Sequence, residues 1–273
     1  MGQPDFLVIG HVAKDLTDEG YRPGGTVVYS ALTARNLGRS TGVITSAGPD
    51  FDLGQLLEDI EVVCLASPVT TTFRNTYEVG GRHQYVHAVA ERIGAGDVPP
   101  AWREVPIVHL GPIAGEVEGD MIDLFSSSLL GLTPQGWLRR WDEQGRVSPC
   151  EWVGAGKLLG RVDVLVLSEE DLAGEAQTLR RQLGVPRVAV VTEGAMGATV
   201  HYQGASTHVA AQKSTVVDPT GAGDIFAASF LVRLAETDDP YEAARFANVA
   251  ASLSVEKAGI ASVPSRAQIE AVR

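Results

Sequence analysis

The residues best suited to chemistry lie near the C-terminal end, in the segment VVDPTGAGDIFAASFL at 216–231. Gly221, Ala222 and Gly223 are three small residues in succession. The residues after them are apolar on nearly every face, which predicts a helix buried in the core. The N-terminus of such a helix presents N–H groups and the positive end of its dipole, and small residues let an anion approach the backbone. Asp224 lies in the first turn, where its carboxylate can face the same anion.

This pairing suits phosphoryl transfer. Charge on the transferring group must be met by fixed donors, and the attacking hydroxyl must give its proton to a nearby base. The alternative is that Asp224 only stabilises the helix N-terminus, which contributes about 0.3–1 kcal/mol. A second GAGD at 94–97 is followed by Val-Pro-Pro, which predicts a surface turn and no core helix. The tetrapeptide is therefore informative only where an apolar helix follows it.

The other sequence motifs typical of phosphate-binding and metal-binding sites are absent from this sequence. The GAGK at 154–157 has Leu158 where a P-loop needs Ser or Thr, and Glu151 where it needs the first glycine. No GxGxxG follows a strand and opens a helix, which argues against a nicotinamide-dependent dehydrogenase. The six histidines form no HExxH pair, so we expect no zinc site.

The composition excludes several partners. The chain carries 22 Lys and Arg against 34 Asp and Glu, a net charge of −12, which disfavours nucleic acid and requires any phosphate site to be built locally. No stretch approaches about 18 apolar residues, so we expect no membrane partner. Cys64 and Cys150 are far apart in the sequence, as in a reduced cytoplasmic protein, and the first residues do not have the pattern of a signal peptide.

Strands and helices alternate along most of the chain, which predicts an α/β fold with a mostly parallel sheet covered on both faces, in one domain spanning 1–273. Residues 61–90 predict a hairpin of exposed strands around the pair Gly80 and Gly81. Small β excursions are expected at about 12–24 and 68–92. We expect the main strands at 6–10, 41–46, 106–110, 162–167 and 187–192, paired short strands at 198–202 and 207–210, and helices at 27–37, 119–126, 225–235 and 241–257, with an acidic helix start at 168–171.

In their order and spacing these segments resemble the ribokinase family, also called the phosphofructokinase-B family of carbohydrate kinases. The DPTGAGD at 218–224 and its apolar helix are similar to the family's C-terminal signature. Pro-Gly-Gly at 23–25 resembles its sugar-site motif, 191–198 its nucleotide-site strand and turn, and 247–259 its last helix and loop. The resemblance implies a ribokinase-like three-layer α/β/α fold with a small β lid, and a kinase that uses ATP and Mg²⁺.

The resemblance also implies roles for matched residues. Asp224 would be the catalytic base, and the N–H groups of Gly221, Ala222 and Gly223 would form an anion hole. The small-molecule acceptor would meet Asp15, Gly24, Gly25 and Tyr29, and the excursion at 68–92, which we interpret as a lid, would bring Arg74 and Asn75 to it. The nucleotide would meet Thr192, Gly194, Gly197 and Asn248. Asp171 occupies a position tied to magnesium, and Asp218 and Thr220 correspond to positions that often hold a monovalent cation, K⁺ being the candidate.

Two positions depart from the family pattern. Tyr29 stands where the family usually has Asn, and Ser168-Glu169-Glu170-Asp171 stands in place of Asn-x-x-Glu. The first departure argues against ribose and favours a cyclic polyol such as an inositol, with a nucleoside next. Together they leave open a non-catalytic ligand-binding or regulatory protein on a kinase fold. A monomer and a homodimer paired through the lid both remain open.

Overall fold

The computed structural model describes residues 2–78, 81–172 and 177–273. Short apolar runs of the sequence form its central strands. The strands are β1 (Phe6–Ile9), β2 (Ala13–Thr17), β3 (Gly20–Gly24), β4 (Thr41–Ala47), β5 (Glu61–Ala66), β6 (Thr71–Glu78), β7 (Gly81–Ala88), β8 (Ile107–Leu110), β9 (Leu129–Leu132), β10 (Arg139–Trp141), β11 (Val147–Pro149), β12 (Val164–Ser168), β13 (Val188–Thr192), β14 (Gly197–Tyr202) and β15 (Ala205–Ala210). The helices are α1 (Thr26–Asn36), α2 (Leu53–Leu56), α3 (Ala155–Leu158), α4 (Gln177–Arg181), α5 (Ala222–Thr237), α6 (Pro240–Ser254) and α7 (Arg266–Val272).

Nine of these strands form one sheet, in the order β15-β14-β13-β12-β9-β8-β1-β4-β5. All neighbours from β13 to β5 are parallel, and β14 runs antiparallel to both β13 and β15. The sheet is therefore mostly parallel, as the alternation of strands and helices predicts. The carboxyl ends of its parallel strands meet at one edge, where ligands bind in open α/β sheets.

The two faces of the sheet bury different cores. Phe6 and Val8 of β1 pack on the side that carries α1, α5 and α6, whereas Leu7 and Ile9 pack on the other side with Trp102. Successive side chains of a strand point to opposite faces, so a run of four apolar residues is buried on both sides. The expected three-layer α/β/α fold is confirmed.

Helix α5 is buried over most of its length, from Ile225 to Leu234 with the exception of Arg233, as its apolar sequence predicts. It begins after Gly221, which has φ of 78°, and packs against α1 and α6. The second GAGD forms only a short 3₁₀ turn, Ala95–Asp97, closed by the Asp97 carboxylate, which accepts from the Gly94 N–H at 2.8 Å. The prediction that no core helix opens there is correct.

Strands β2, β3, β6 and β7 form a second, four-stranded sheet in the order β3-β2-β6-β7. The predicted hairpin at 61–90 was too long, because β5 pairs in parallel with β4 and belongs to the central sheet. As the edge strand, β5 is only partly covered, and its composition looks like that of an exposed hairpin. Strands β6 and β7 do pair antiparallel. Gly80, predicted at their turn, lies outside the described residues.

Three further expectations need correction. Residues 168–171 end β12 and enter a turn rather than opening a helix. The expected helix at 119–126 is a 3₁₀ segment, Gly119–Phe125. Strand β9 and the short hairpin of β10 and β11 were not predicted from the sequence. Across the described ranges, no helix combines the length and the apolar character needed to cross a membrane.

Candidate active site

A cavity of about 680 Å³ lies at the carboxyl edge of the central sheet, between it and the small sheet. Most of the residues singled out in the sequence line it together, although they come from distant parts of the chain. They are Asp15, Gly25, Tyr29, Thr192, Gly194, Gly197, Asp218, Thr220, Gly221, Ala222, Gly223, Asp224 and Asn248. Gly24, Arg74 and Asp171 are not among the residues that line it.

Asp224 lies in the first turn of α5, at the wall of the cavity. Burial raises its carboxyl pKa to about 6, and the nearby carboxylates of Asp171 and Asp15 raise it further, against a hydrogen bond from Thr26 and the charge of Arg139, which lower it. A base works best when its pKa lies near the operating pH. A carboxylate with this pKa is ionised at pH 7 and can still accept a proton.

The predicted anion hole has two available N–H donors instead of the three expected. The Ala222 N–H donates to the Pro219 carbonyl at 3.2 Å and closes a turn ahead of the helix. The N–H groups of Gly221 and Gly223 have no acceptor within the described ranges. These two donors, at the positive end of α5, are the ones placed for an anion.

Tyr29 packs its ring directly on Gly221. A Cβ atom at position 221 would lie 2.4 Å from Cδ1 of Tyr29, and the φ of 78° is one that L side chains rarely adopt. The ring is 2% exposed. Burial raises the pKa of the phenol, as do the charges of Asp15, Asp224 and Asp218, whereas Arg22 lowers it. The hydroxyl therefore stays protonated beside three carboxylates.

One half of the cavity is formed by β2, the start of α1 and the small sheet, and we call it the acceptor half because the acceptor is predicted there. Its polar groups are Asp15, Asn75, Gln84, Gln135 and Arg139, with Phe73 and Ile113 as apolar walls. The Asp15 carboxylate lies against Gly24, where a Cβ would come within 2.2 Å of Oδ2. Gly24 thus makes room for Asp15 and does not itself face the cavity.

Arg74, predicted to reach the acceptor, does not line the cavity in this structure. Its neighbours Phe73 and Asn75 line the cavity, and successive residues of a strand face opposite ways. Arg74 is 45% exposed, and its Nη2 lies 3.4 Å from Oδ1 of Asp18. The composition of the lid segment gave no means of assigning which alternate residues point inward.

Glu116 supports the acceptor wall and was not anticipated. Its buried carboxylate accepts backbone hydrogen bonds from His11 at 2.9 Å, Ile113 at 3.0 Å and Ala114 at 2.7 Å. It thereby joins the segment after β1 to the segment after β8, which carries Ile113 to the cavity. A single Glu in a loop offers no sequence signal of such a role.

The other half of the cavity lies between the end of β13, β15 and α6. We call it the donor half because the nucleotide residues are predicted there. Thr192 Oγ1 donates to the Leu167 carbonyl at 3.2 Å. Asn248 is 4% exposed, and its Nδ2 donates to the Val209 carbonyl at 2.8 Å. Gly194 and Gly197 line the same groove. The predicted nucleotide residues are therefore brought together.

The predicted metal residues have their own partners. Asp171 Oδ2 accepts from the Ser168 N–H at 2.9 Å and from Ser168 Oγ at 2.7 Å, so it closes the turn after β12 and does not line the cavity. The assignment of Asp171 to magnesium stays a prediction, and its neighbours Glu169 and Glu170 are the carboxylates that line the cavity here. No cluster of three or more His, Cys, Asp or Glu suited to a metal ion occurs in the described part of the chain.

Asp218 and Thr220 lie just before α5. Burial would raise the pKa of the Asp218 carboxyl, but hydrogen bonds from Thr220 and from the Gly259 N–H, with the charge of Arg22, lower it overall. Asp218 Oδ1 accepts from the Thr220 N–H at 3.0 Å, and Oδ2 lies 3.4 Å from Nη1 of Arg22 in β3. Asp218 is thus ionised and touches the small sheet.

Arg139, the first residue of β10, was also not anticipated. It supplies the sole basic side chain among the described residues that line the cavity, and its Nη1 donates to Oε1 of Gln84 at 3.0 Å. Arg139-Arg140 reads as a surface pair in the sequence, and nothing in it signals that one of the two points inward.

Comparisons with known proteins find carbohydrate and nucleoside kinases. The family model of the pfkB family carbohydrate kinases matches residues 154–266. A cytidine kinase of Thermococcus kodakarensis is 26% identical over 249 residues, covering 83% of this chain and 87% of that protein. An inositol 3-kinase of Oryza sativa subsp. japonica is 28% identical over 290 residues, covering 95% and 70%.

Among solved structures, a pyrophosphate-dependent kinase of the ribokinase family, complexed with a pyrophosphate analog and myo-inositol, superimposes with a TM-score of 0.82. It is 25% identical, and the match covers 98% of this chain and 100% of that one. The chain is thus similar to the ribokinase, or pfkB, family of carbohydrate kinases, through the family model over residues 154–266 and through a shared fold over nearly its whole length.

Proposed function

We propose that the protein is an ATP-dependent kinase that phosphorylates a hydroxyl of an uncharged polyhydroxy molecule, foremost a cyclic polyol of the inositol type, with Asp224 as the base. The observation that carries the proposal is the position of Asp224. A carboxylate with a pKa of about 6 lies beside the N–H groups of Gly221 and Gly223, between an acceptor half and a donor half of one cavity.

The reaction follows from this arrangement. Asp15 orients the acceptor and Asp224 takes the proton of the attacking hydroxyl. The bond from that oxygen to the γ-phosphorus forms as the bond from phosphorus to the bridging oxygen breaks, and the electron pair leaves on the β-phosphate of ADP. The N–H groups of Gly221 and Gly223 meet the charge on the transferring group.

The donor half favours a nucleotide over bare pyrophosphate. Its wall combines small and apolar residues, Ala211, Val216, Ala251 and Val255, that suit a purine ring. No Lys or Arg of the described residues lines this half, whereas Glu169, Glu170 and Glu193 do. Pyrophosphate, a multiply charged anion without a base or a sugar, would therefore gain little binding energy there. The likeness to a pyrophosphate-dependent kinase makes pyrophosphate the second donor to test.

Magnesium fits the same cavity. Glu169 and Glu170, at the end of β12, supply hard carboxylate oxygens of the kind that Mg²⁺ and its bound waters prefer. When bound with the nucleotide, Mg²⁺ neutralises charge on the phosphates. Asp218 and Thr220 would be the residues for K⁺, and Arg22 already supplies a positive charge close to that carboxylate.

The acceptor half favours an uncharged ligand. Asp15 and Asp224 outweigh the single positive charge of Arg139, so an acceptor that already carries a phosphate would be repelled. Asp15, Asn75, Gln84 and Gln135 offer hydrogen bonds around a polyol between the walls of Phe73 and Ile113. The relative solved with myo-inositol supports this class, and the cytidine kinase makes a nucleoside the second class. We take the small sheet as a lid over this half.

The test is a turnover assay with Mg²⁺ and K⁺ over inositols, sugars, sugar phosphates and nucleosides, with ATP and with pyrophosphate as donors. Acceptor-dependent turnover with ATP that falls about 10²–10⁴-fold in Asp224→Asn is expected. Turnover that occurs with pyrophosphate and not with ATP would refute ATP as the phosphoryl donor. Unchanged turnover in Asp224→Asn would refute the mechanism, and no turnover with either donor would favour a ligand-binding protein on this fold.

A further inference from the structure

The cavity carries an unusual charge for a site that handles phosphate. Six carboxylates line it, against the one guanidinium of Arg139, among the residues that the structure describes; they are Asp15, Glu169, Glu170, Glu193, Asp218 and Asp224. The N-terminus of α5 supplies only about half a positive charge. A phosphoryl group that moves from the donor to the acceptor enters the acceptor half, where Arg139 is the positively charged side chain among the described lining residues.

Arg139 is fixed on that side of the cavity. It opens β10, and its bond to Gln84 at 3.0 Å ties it to β7 of the small sheet. Its charge reaches Asp224, since it lowers the pKa of that carboxyl against the effect of burial. Arg140, the next residue, is exposed, as expected where successive strand residues face opposite ways.

We propose that Arg139 is a further catalytic residue, which binds the transferring phosphoryl group as it reaches the acceptor hydroxyl, with Gln84 as its positioning residue. The inference rests on the proposed function. The N–H groups of Gly221 and Gly223 hold the group from the helix side, and the guanidinium holds it from the small-sheet side. The bond made is acceptor oxygen to phosphorus, the bond broken is phosphorus to the donor's bridging oxygen, and the proton goes to Asp224.

A group of this kind stabilises charge that is spread over the phosphoryl oxygens in the transition state. It should therefore act on kcat more than on the KM for the acceptor. A guanidinium that only binds acceptor hydroxyls would have the opposite effect, because it would hold the ground state and the transition state equally. The ratio of the two effects separates the alternatives.

The experiment compares Arg139→Met with its matched control, Arg140→Met, which removes the same charge from the opposite side of the strand. We expect Arg139→Met to lose about 10²–10³-fold in kcat with little change in acceptor KM, and Arg140→Met to keep both. Arg139→Lys should retain part of kcat, since it keeps the charge without the planar donor fork. Gln84→Met should lose less than Arg139→Met.

A second readout does not depend on turnover. In ¹³C NMR titrations of aspartate-labelled protein, the pKa of Asp224 should rise in Arg139→Met and stay in place in Arg140→Met. Asp15 and Asp171, the phenol of Tyr29 and the hydroxyl of Thr26 also face Asp224, and they are the same in both variants. An unmoved Asp224 pKa in Arg139→Met would overturn the placement.

Other outcomes decide the remaining points. A kcat in Arg139→Met equal to that of Arg140→Met, or a loss confined to acceptor KM, overturns this inference while the proposed kinase stands. If wild type and Arg140→Met both turn over nothing, the proposed function fails and takes the inference with it. Should Arg139→Met not fold, unchanged kcat in both Arg139→Lys and Gln84→Met would overturn it.

Discussion

Asp224→Asn should produce a kinase that is inactive and yet more stable than the wild type at alkaline pH. The fold holds the pKa of Asp224 at about 6, chiefly by burial, against an ordinary value of 3.8. A raised pKa means that folding favours the protonated form. The stability from this group is therefore present below pH 3.8 and lost as the pH rises through 6.

The magnitude follows from the shift. A difference of about 2 units at about 1.36 kcal/mol per unit sets an upper bound of about 3 kcal/mol. Because the carboxylate faces a cavity open to solvent, we expect about 1–3 kcal/mol. Asparagine keeps the shape and an oxygen for Thr26, but it has no charge to bury. The variant should gain this amount at pH 8, and the gain should vanish towards pH 4.

Urea unfolding of both proteins, followed by tryptophan fluorescence at several pH values, measures the difference directly, because the titration of all other groups cancels. Asp218→Asn is the matched control. Its folded pKa is lowered, so its charge stabilises the fold, and the variant should lose stability at pH 8. A gain in Asp224→Asn that is absent at pH 8, or that does not change with pH, would refute the reasoning.

Three further predictions concern single positions. Gly221→Ala should cost about 1–3 kcal/mol in urea unfolding and reduce kcat, because its Cβ meets the ring of Tyr29 and its φ is 78°; Gly223→Ala, with nothing within 4 Å, should keep its stability. Glu116→Gln should cost about 1–3 kcal/mol in the same assay, since an amide cannot accept all its backbone bonds. Burial lowers the pKa of His109 to about 3, so acid destabilises the wild type as pH falls from 6.5 towards 3; His109→Leu should flatten this dependence in urea titrations, and an unchanged slope would contradict it.

The sequence was sufficient for the parts that local composition determines. An apolar helix behind small residues could only be buried, so α5 and the position of Asp224 were predictable. The alternation of strands and helices was enough for a mostly parallel sheet covered on both faces, whereas the three-layer ribokinase-like fold was implied by the family resemblance. These features depend on periodicity and on the order of segments, and both can be read without knowing any contact.

The remainder depends on contacts between distant segments. Composition cannot distinguish an edge strand of a large sheet from an exposed hairpin, which is why β5 was misplaced. The inward face of β6 depends on its register with β2, so Arg74 could not be told from its neighbours. Asp171 accepts a hydrogen bond from Ser168, three residues away. Arg139 lines the cavity only because β10 lies beside the small sheet.

The contact between Tyr29 and Gly221 couples the proposed acceptor site to the proposed phosphate-binding turn. One ring lines the cavity on the side proposed for the acceptor and also supports the turn before α5. An exchange at position 29 intended to admit a larger acceptor would also release the backbone that we propose holds the transferring group. Attempts to redesign the acceptor preference should therefore vary both positions in one library, because a gain in range at one site alone would be offset by a loss of rate.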